Sequence, residues 1–243
     1  MERLREATRR DARLLEGARR RSEEHLAGRT VWCIAALPGG RKDAWTLRAC
    51  LREGDAEGGT AVHCLEITAT EPLAGLGQRL QAMLVGSAGS SRGLSRADAA
   101  TYAEGCLDGE ATIGGSVRAD DVVVLHDALA AVTAEAARER GAHVVWRIDA
   151  RVAPARAPAL DAWDFMRPQA RGVDGYVGEW ILSDFAPKRI GAVVPSTGTV
   201  AAHDVGPRHA RVGWTTALAE LVQADRHETV GGTVHARPAV AVR

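Results

Sequence analysis

No stretch of this chain approaches the ~18 consecutive apolar residues that a membrane-spanning helix needs, and its arginine-rich start lacks the apolar core of a secretory leader. The reading is therefore a cytoplasmic chain with no membrane span. Aromatics are sparse, with two tyrosines, two phenylalanines and six tryptophans, and no basic stripe interleaves with them. Formal net charge is zero and the isoelectric point is about 7.1, so no overall field draws the chain to nucleic acid or to an anionic surface. The four cysteines, Cys33, Cys50, Cys64 and Cys106, show no C-x-x-C spacing, which argues against a disulfide scaffold or structural zinc. They read as reduced apolar fillers. No two histidines stand at the H-x-x-x-H spacing of a helical metal site, so no metal or other cofactor is expected. A G-x-S-x-G elbow and a G-x-x-x-x-G-K-[ST] loop are both missing, which disfavours a serine hydrolase and a P-loop nucleotidase. Lys42 and Lys188 are the only lysines, an arginine bias that carries no functional weight.

What is present is alternation. At 243 residues the chain suits one large α/β domain that needs no covalent staples. "TVWCIAAL" at 30–37 reads as a strand stopping at "PGG", with an apolar helical stretch around Ala44–Leu51. "TAVHCLEIT" at 60–68 and "LAGLGQRLQAMLVG" at 73–86 repeat the strand-then-helix order. Ser95 with Asp98 three positions on has the spacing of a helix N-cap, opening a helix that runs towards Leu107. Further strands are expected at 121–125, 142–148, 175–179 and 190–195, and helices at 128–140 and 159–171. Continuous apolar strands in this order indicate a Rossmann-like, doubly wound α/β domain, its mainly parallel sheet covered by helices on both faces. The expected divisions are an N-terminal helix at 1–29, the Rossmann-like domain at 30–211, and a helix with a terminal strand at 212–243.

In an open parallel sheet, ligands bind outside the carboxyl ends of the strands. Four stretches meet that condition. Gly39 and Gly40 of "LPGGRKDAW" sit at a strand-to-helix turn, where bare backbone can approach a phosphate or sugar, although a plain turn explains them equally well. His126 and Asp127 follow the apolar run of "DDVVVLHDALAA" and read either as chemistry at a strand end or as its polar edge. Trp146, Arg147 and Asp149 of "WRID" close the next strand at the same edge, with an internal Arg147–Asp149 ion pair as the plainer reading. Asp164 and Arg167 of "WDFMRP" are spaced as an i,i+3 helical pair, while Trp163 and Phe165 read as packing residues.

Taken in order, "VWCIAALPGG", "QRLQAMLVG", "DDVVVLHDALAA", "VVWRIDA" and "AWDFMRP" resemble the N-terminal half of retaining GT-B glycosyltransferases of the trehalose synthase and trehalose phosphorylase type. The resemblance implies a single GT-B half that binds the acceptor sugar, in a family whose synthases transfer glucose from a nucleotide sugar to glucose. His126 and Asp127 then stand where the family's H-D-P-Q-P motif contacts the acceptor, with Ala128, Leu129 and Ala130 in place of Pro-Gln-Pro. Gly39 and Gly40 correspond to the glycines near the donor, but Ile34, Ala35 and Ala36 replace that loop's Asn-Ser-Thr. Trp146, Arg147 and Asp149 keep part of W-R-C-H-I-D, and 163–168 is nearly the family's W-D-F-L-R-P.

In that family a second Rossmann domain carries most of the nucleotide-sugar contacts, and this chain stops at "RPAVAVR", about where that domain begins. The leading expectation is a glycosyltransferase-like acceptor domain that works with a second, nucleotide-sugar-binding domain or chain. Its expected partners are a sugar acceptor, a nucleotide sugar, and either a second copy or a separate glycosyltransferase chain. Two other readings stand beside it: a non-catalytic sugar-binding or assembly module, and a stand-alone Rossmann-like enzyme on another substrate.

Overall fold

The structure is a computed structural model and describes residues 26–54, 60–84, 93–147, 157–178 and 194–195. The expected N-terminal helix, the stretch 196–243 and Asp149 lie outside these residues, apart from the tail of that helix at 26–29. Strands β1 (Thr30–Ala35), β2 (Ala61–Glu66), β3 (Val122–Leu125), β4 (His143–Arg147), β5 (Gly175–Gly178) and the two-residue β6 (Val194–Pro195) form one sheet. Its order is β2-β1-β3-β4-β5-β6, and every adjacent pair is parallel. The helices are α1 (Pro38–Gly54), α2 (Glu71–Leu84), α3 (Arg96–Ile113), α4 (Ala134–Glu139) and α5 (Ala157–Met166). Short 3-10 turns at Ala130–Thr133 and Gln169–Gly172 complete the described elements. The chain is thus a parallel α/β Rossmann-like fold, as its strand-and-helix alternation indicates.

Strand alternation divides the core. Val31, Cys33 and Ala35 of β1, with Val122, Val124 and Val145, pack on Ala44 and Leu47 of α1. On the other face Ile34, Val123, Leu125, Val144 and Trp146 meet Leu73, Leu76, Leu80 and Met83 of α2, Tyr102 and Ile113 of α3, and Met166 of α5. All four residues of β3 are buried, which is why the sequence "VVVL" shows no polar alternation: both of its faces are covered.

The element boundaries differ from expectation in informative places. The first helix starts at Pro38, six residues ahead of Ala44, so Gly39 and Gly40 belong to its first turn and not to a loop. Proline suits a first helical position because its missing N–H has no intrahelical partner there. The segment after β3 does not enter a helix at 128; it makes the 3-10 turn at Ala130–Thr133 before the six-residue α4. The helix opened by Ser95 has its expected cap, with the Ser95 side chain accepting from the Asp98 N–H and the Asp98 carboxylate accepting from the Ser95 N–H. It runs past Leu107 to Ile113 because Gly109, where a Cβ would crowd Val132 and Thr133, lets α3 lie close on the 3-10 turn.

Candidate functional site

Connections that leave β1 for β2 on one side and reach β3 on the other put a topological switch point between β1 and β3, the place where open parallel sheets bind ligands at the carboxyl ends of their strands. Ala35, Leu125 and Arg147 end β1, β3 and β4 at this one edge, since all three strands are parallel and in register. Three of the four predicted stretches therefore converge. Asp164 and Arg167 do not join them: they pair with each other as an exposed i,i+3 ion pair at the end of α5.

Asp127 is the hub of the edge. Its Oδ2 accepts from the Ala36 and Leu37 N–H groups, both at 2.9 Å, just ahead of the first turn of α1. Its Oδ1 accepts from Leu129 at 3.0 Å and from Ala130 at 2.8 Å, capping its own turn. One carboxylate thus satisfies four backbone donors at two adjacent helical starts, and as an anion it also favours the positive end of α1. Burial holds its carboxyl above the usual carboxylate range, with those four donors opposing but not cancelling the shift. Gly40 supplies the room, because a Cβ there would overlap the Asp127 carboxylate. Gly39 has open space around it and is exposed.

The rest of this turn is equally well satisfied. The His126 N–H donates to the Ile34 carbonyl at 2.9 Å, extending the β1–β3 ladder by one residue. Ala128 donates its N–H to Gln81 Oε1 at 3.2 Å, and its carbonyl accepts from the Tyr102 hydroxyl at 3.1 Å. Ala128, Leu129 and Ala130 are fully buried, so their apolar character serves the core.

Against that background the His126 ring is the exception. It is 4 % exposed, and neither Nδ1 nor Nε2 has a hydrogen-bond partner. Burial, and then the nearby Arg147 charge, depress its pKa to about 3, so at neutral pH it is an uncharged imidazole with one N–H and one lone pair. Arg147 reaches from the end of β4 to form an ion pair with Asp43 on α1, tying the second turn of that helix to the same edge. The Trp146 side chain faces the opposite side of the sheet, packed with Trp163 and Tyr176, their ring centres 5.7 and 5.9 Å away.

Asp43, Gln81 and Tyr102 are the site's members that sequence reasoning missed as such. Asp43 lies inside the "LPGGRKDAW" stretch and Gln81 inside "QRLQAMLVG", but nothing in their local spacing gives them a partner, because each meets the edge from a different element. Among the described residues no group of three or more His, Cys, Asp or Glu could hold a metal ion, and no helix is long and apolar enough to cross a membrane. The arrangement holds a neutral donor–acceptor ring, closed to solvent, beside a largely buried ion pair, and the chemistry of that ring suits hydroxyl groups. No family model and no curated protein matches the chain, so the glycosyltransferase resemblance rests on its ordered motifs alone.

Proposed function

We propose that this chain is the acceptor-side, sugar-binding half of a GT-B glycosyltransferase-like protein of the trehalose synthase type, effecting glucosyl transfer together with a second, nucleotide-sugar-binding unit. The observation that carries the proposal is the buried, neutral and unpartnered His126 imidazole at the β1/β3 switch point. A sugar hydroxyl both donates and accepts, so it can answer either ring nitrogen without bringing charge into a buried place. Asp127 then acts as a positioning residue that fixes the turn carrying His126, and Gly40 gives Asp127 its place. Burial keeps the imidazole neutral, and Arg147, braced by Asp43, sets its positive charge near the ring to the same effect. The donor phosphates are left to the second unit, since the Ala36 and Leu37 N–H groups at the glycine turn already bind the Asp127 carboxylate. Stabilising the departing phosphate is the larger catalytic demand, and it falls outside this edge. Both ring nitrogens are closed to solvent, so binding requires the edge to open.

Titration calorimetry of the purified chain with glucose, trehalose and a nucleotide-glucose tests the proposal. Saturable binding of a free sugar, weakened at least tenfold in a folded His126→Ala variant, is the expected result. Absence of saturable binding by any of the three, or equal affinity in the variant, overturns it. A second reading, a sugar-binding module without catalysis, is favoured by the complete burial of Ala128, Leu129 and Ala130, which leaves the turn no polar side chain beyond the pair. Nucleotide release on mixing the chain and a complementary donor-binding unit with nucleotide-glucose and glucose is expected for the transferase half; sugar binding without release supports the module.

A further inference from the structure

A second pair of reactive groups lies on the α1 face of the sheet, within β1 and β2. Cys33 of β1 and Cys64 of β2 stand directly opposite each other in the parallel register. Neighbouring strands run about 4.8 Å apart, inside the Cα separation of roughly 4.4–6.8 Å that a disulfide spans. The two side chains share one face: both pack in the cluster that α1 covers. Cys64 in turn donates to the Ala44 carbonyl of α1 at 3.8 Å, a normal reach for sulfur. The two thiols differ in access. Cys33 is fully buried, while Cys64 is half-buried on β2, a strand with a single partner in the described sheet. The Arg48 charge of α1 opposes, without overcoming, the shift that holds the Cys33 thiol protonated.

We propose that Cys33 and Cys64 form an oxidative modification site, joined by peroxide into an intrachain disulfide that links β1 to β2. Cys64, the reachable sulfur, attacks the O–O bond as a thiolate; it becomes a sulfenic acid, and one oxygen leaves as water. Cys33 resolves this intermediate: its sulfur attacks the Cys64 sulfur, the S–S bond forms, and the hydroxyl departs as a second water with the Cys33 proton. The two thiols lose two electrons and two protons, and one hydrogen peroxide becomes two waters. Cys33 suits the resolving role because it lies buried directly opposite Cys64, and that neighbouring side chain, followed by burial, holds its thiol protonated until Cys64 has been oxidised. The disulfide removes the hydrogen that Cys64 shares with Ala44, releasing one tie between β2 and α1 at the residue after Asp43.

The test treats the folded 243-residue chain with hydrogen peroxide, blocks remaining thiols, unfolds the protein and maps linked peptides. Loss of two of the four thiols, with a linked Cys33–Cys64 peptide reversed by dithiothreitol, is the expected outcome. In a folded Cys64→Ser variant the three remaining thiols should all survive the same treatment. Retention of all four thiols in the parent chain, sulfinic acid at Cys64 without linkage, or linkage through Cys50 or Cys106 would each overturn the proposal.

Discussion

The two ends of β3 carry an aspartate each, and the structure uses them differently. At the amino end Asp121 accepts from the Trp32 indole N–H at 3.0 Å and the Arg118 N–H at 2.9 Å, and the adjacent Asp120 carbonyl accepts from Arg29 at 2.7 Å. At the carboxyl end Asp127 serves four backbone N–H groups, and next to it the His126 ring serves none. The amino end is thus closed by side-chain and backbone partners, whereas the carboxyl end is braced hard around a group with an unmet demand. A buried polar ring without a partner costs stability, and its presence at the switch point is what gives that end a functional reading.

The largest effect expected from this contrast is at Asp127. Asp127→Ala orphans four donors at two helical starts and should cost about 3–5 kcal/mol in denaturant unfolding, against about 1–3 kcal/mol for Asp121→Ala. Asp127→Asn keeps one acceptor oxygen and should fall between them, and Gly40→Ala should destabilise by displacing the same carboxylate. Equal losses at Asp121 and Asp127 would erase the distinction between the two ends.

A smaller, pH-dependent effect belongs to His126. Its folded pKa lies below its unfolded value near 6.5, so the unfolded chain takes up a proton that the folded chain refuses. Stability is fully present above pH 6.5 and is lost as pH falls towards 3, by up to ~1.4 kcal/mol per pH unit. In His126→Leu that one-proton contribution disappears, so unfolding curves of parent and variant should converge or cross in the variant's favour as the pH is lowered from 7 to 5. A stability difference that stays constant over this range would mean the ring titrates normally in place.

The smallest effect separates the two arginine–aspartate pairs. Double-mutant cycles should give a coupling of about 1–2 kcal/mol for Asp43–Arg147, which is largely buried, and only about 0.2–0.5 kcal/mol for the exposed Asp164–Arg167 pair. Comparable values would remove the reason for assigning Arg147, and not Arg167, to the site.

How much of this was legible in the sequence follows from the range of the forces. The fully apolar run of β3, the Ser95–Asp98 cap and the alternation of strands with helices are local patterns, and each stands where its residues indicate. The start of α1 was hidden because its anchor is not local: two adjacent glycines resemble a turn until a carboxylate some 90 positions away fills the space above them. The same distance concealed Asp43, whose partner sits on β4. His126 and Asp127 were visible as a pair, but their separate fates were not, since only the packed edge shows that one is saturated and the other unpartnered.

The Asp127 bridge to Ala36 spans 91 residues of chain. Ordering so long a loop is entropically costly, so this contact belongs with the late, non-local steps of folding. The turn after β3 carries its own cap in Asp127, but α1 does not receive its cap until β1 and β3 are side by side. A folding intermediate holding β1, α1 and β2 alone would have the glycine turn with its N–H groups uncapped, and the candidate site comes into being only when the central strand arrives.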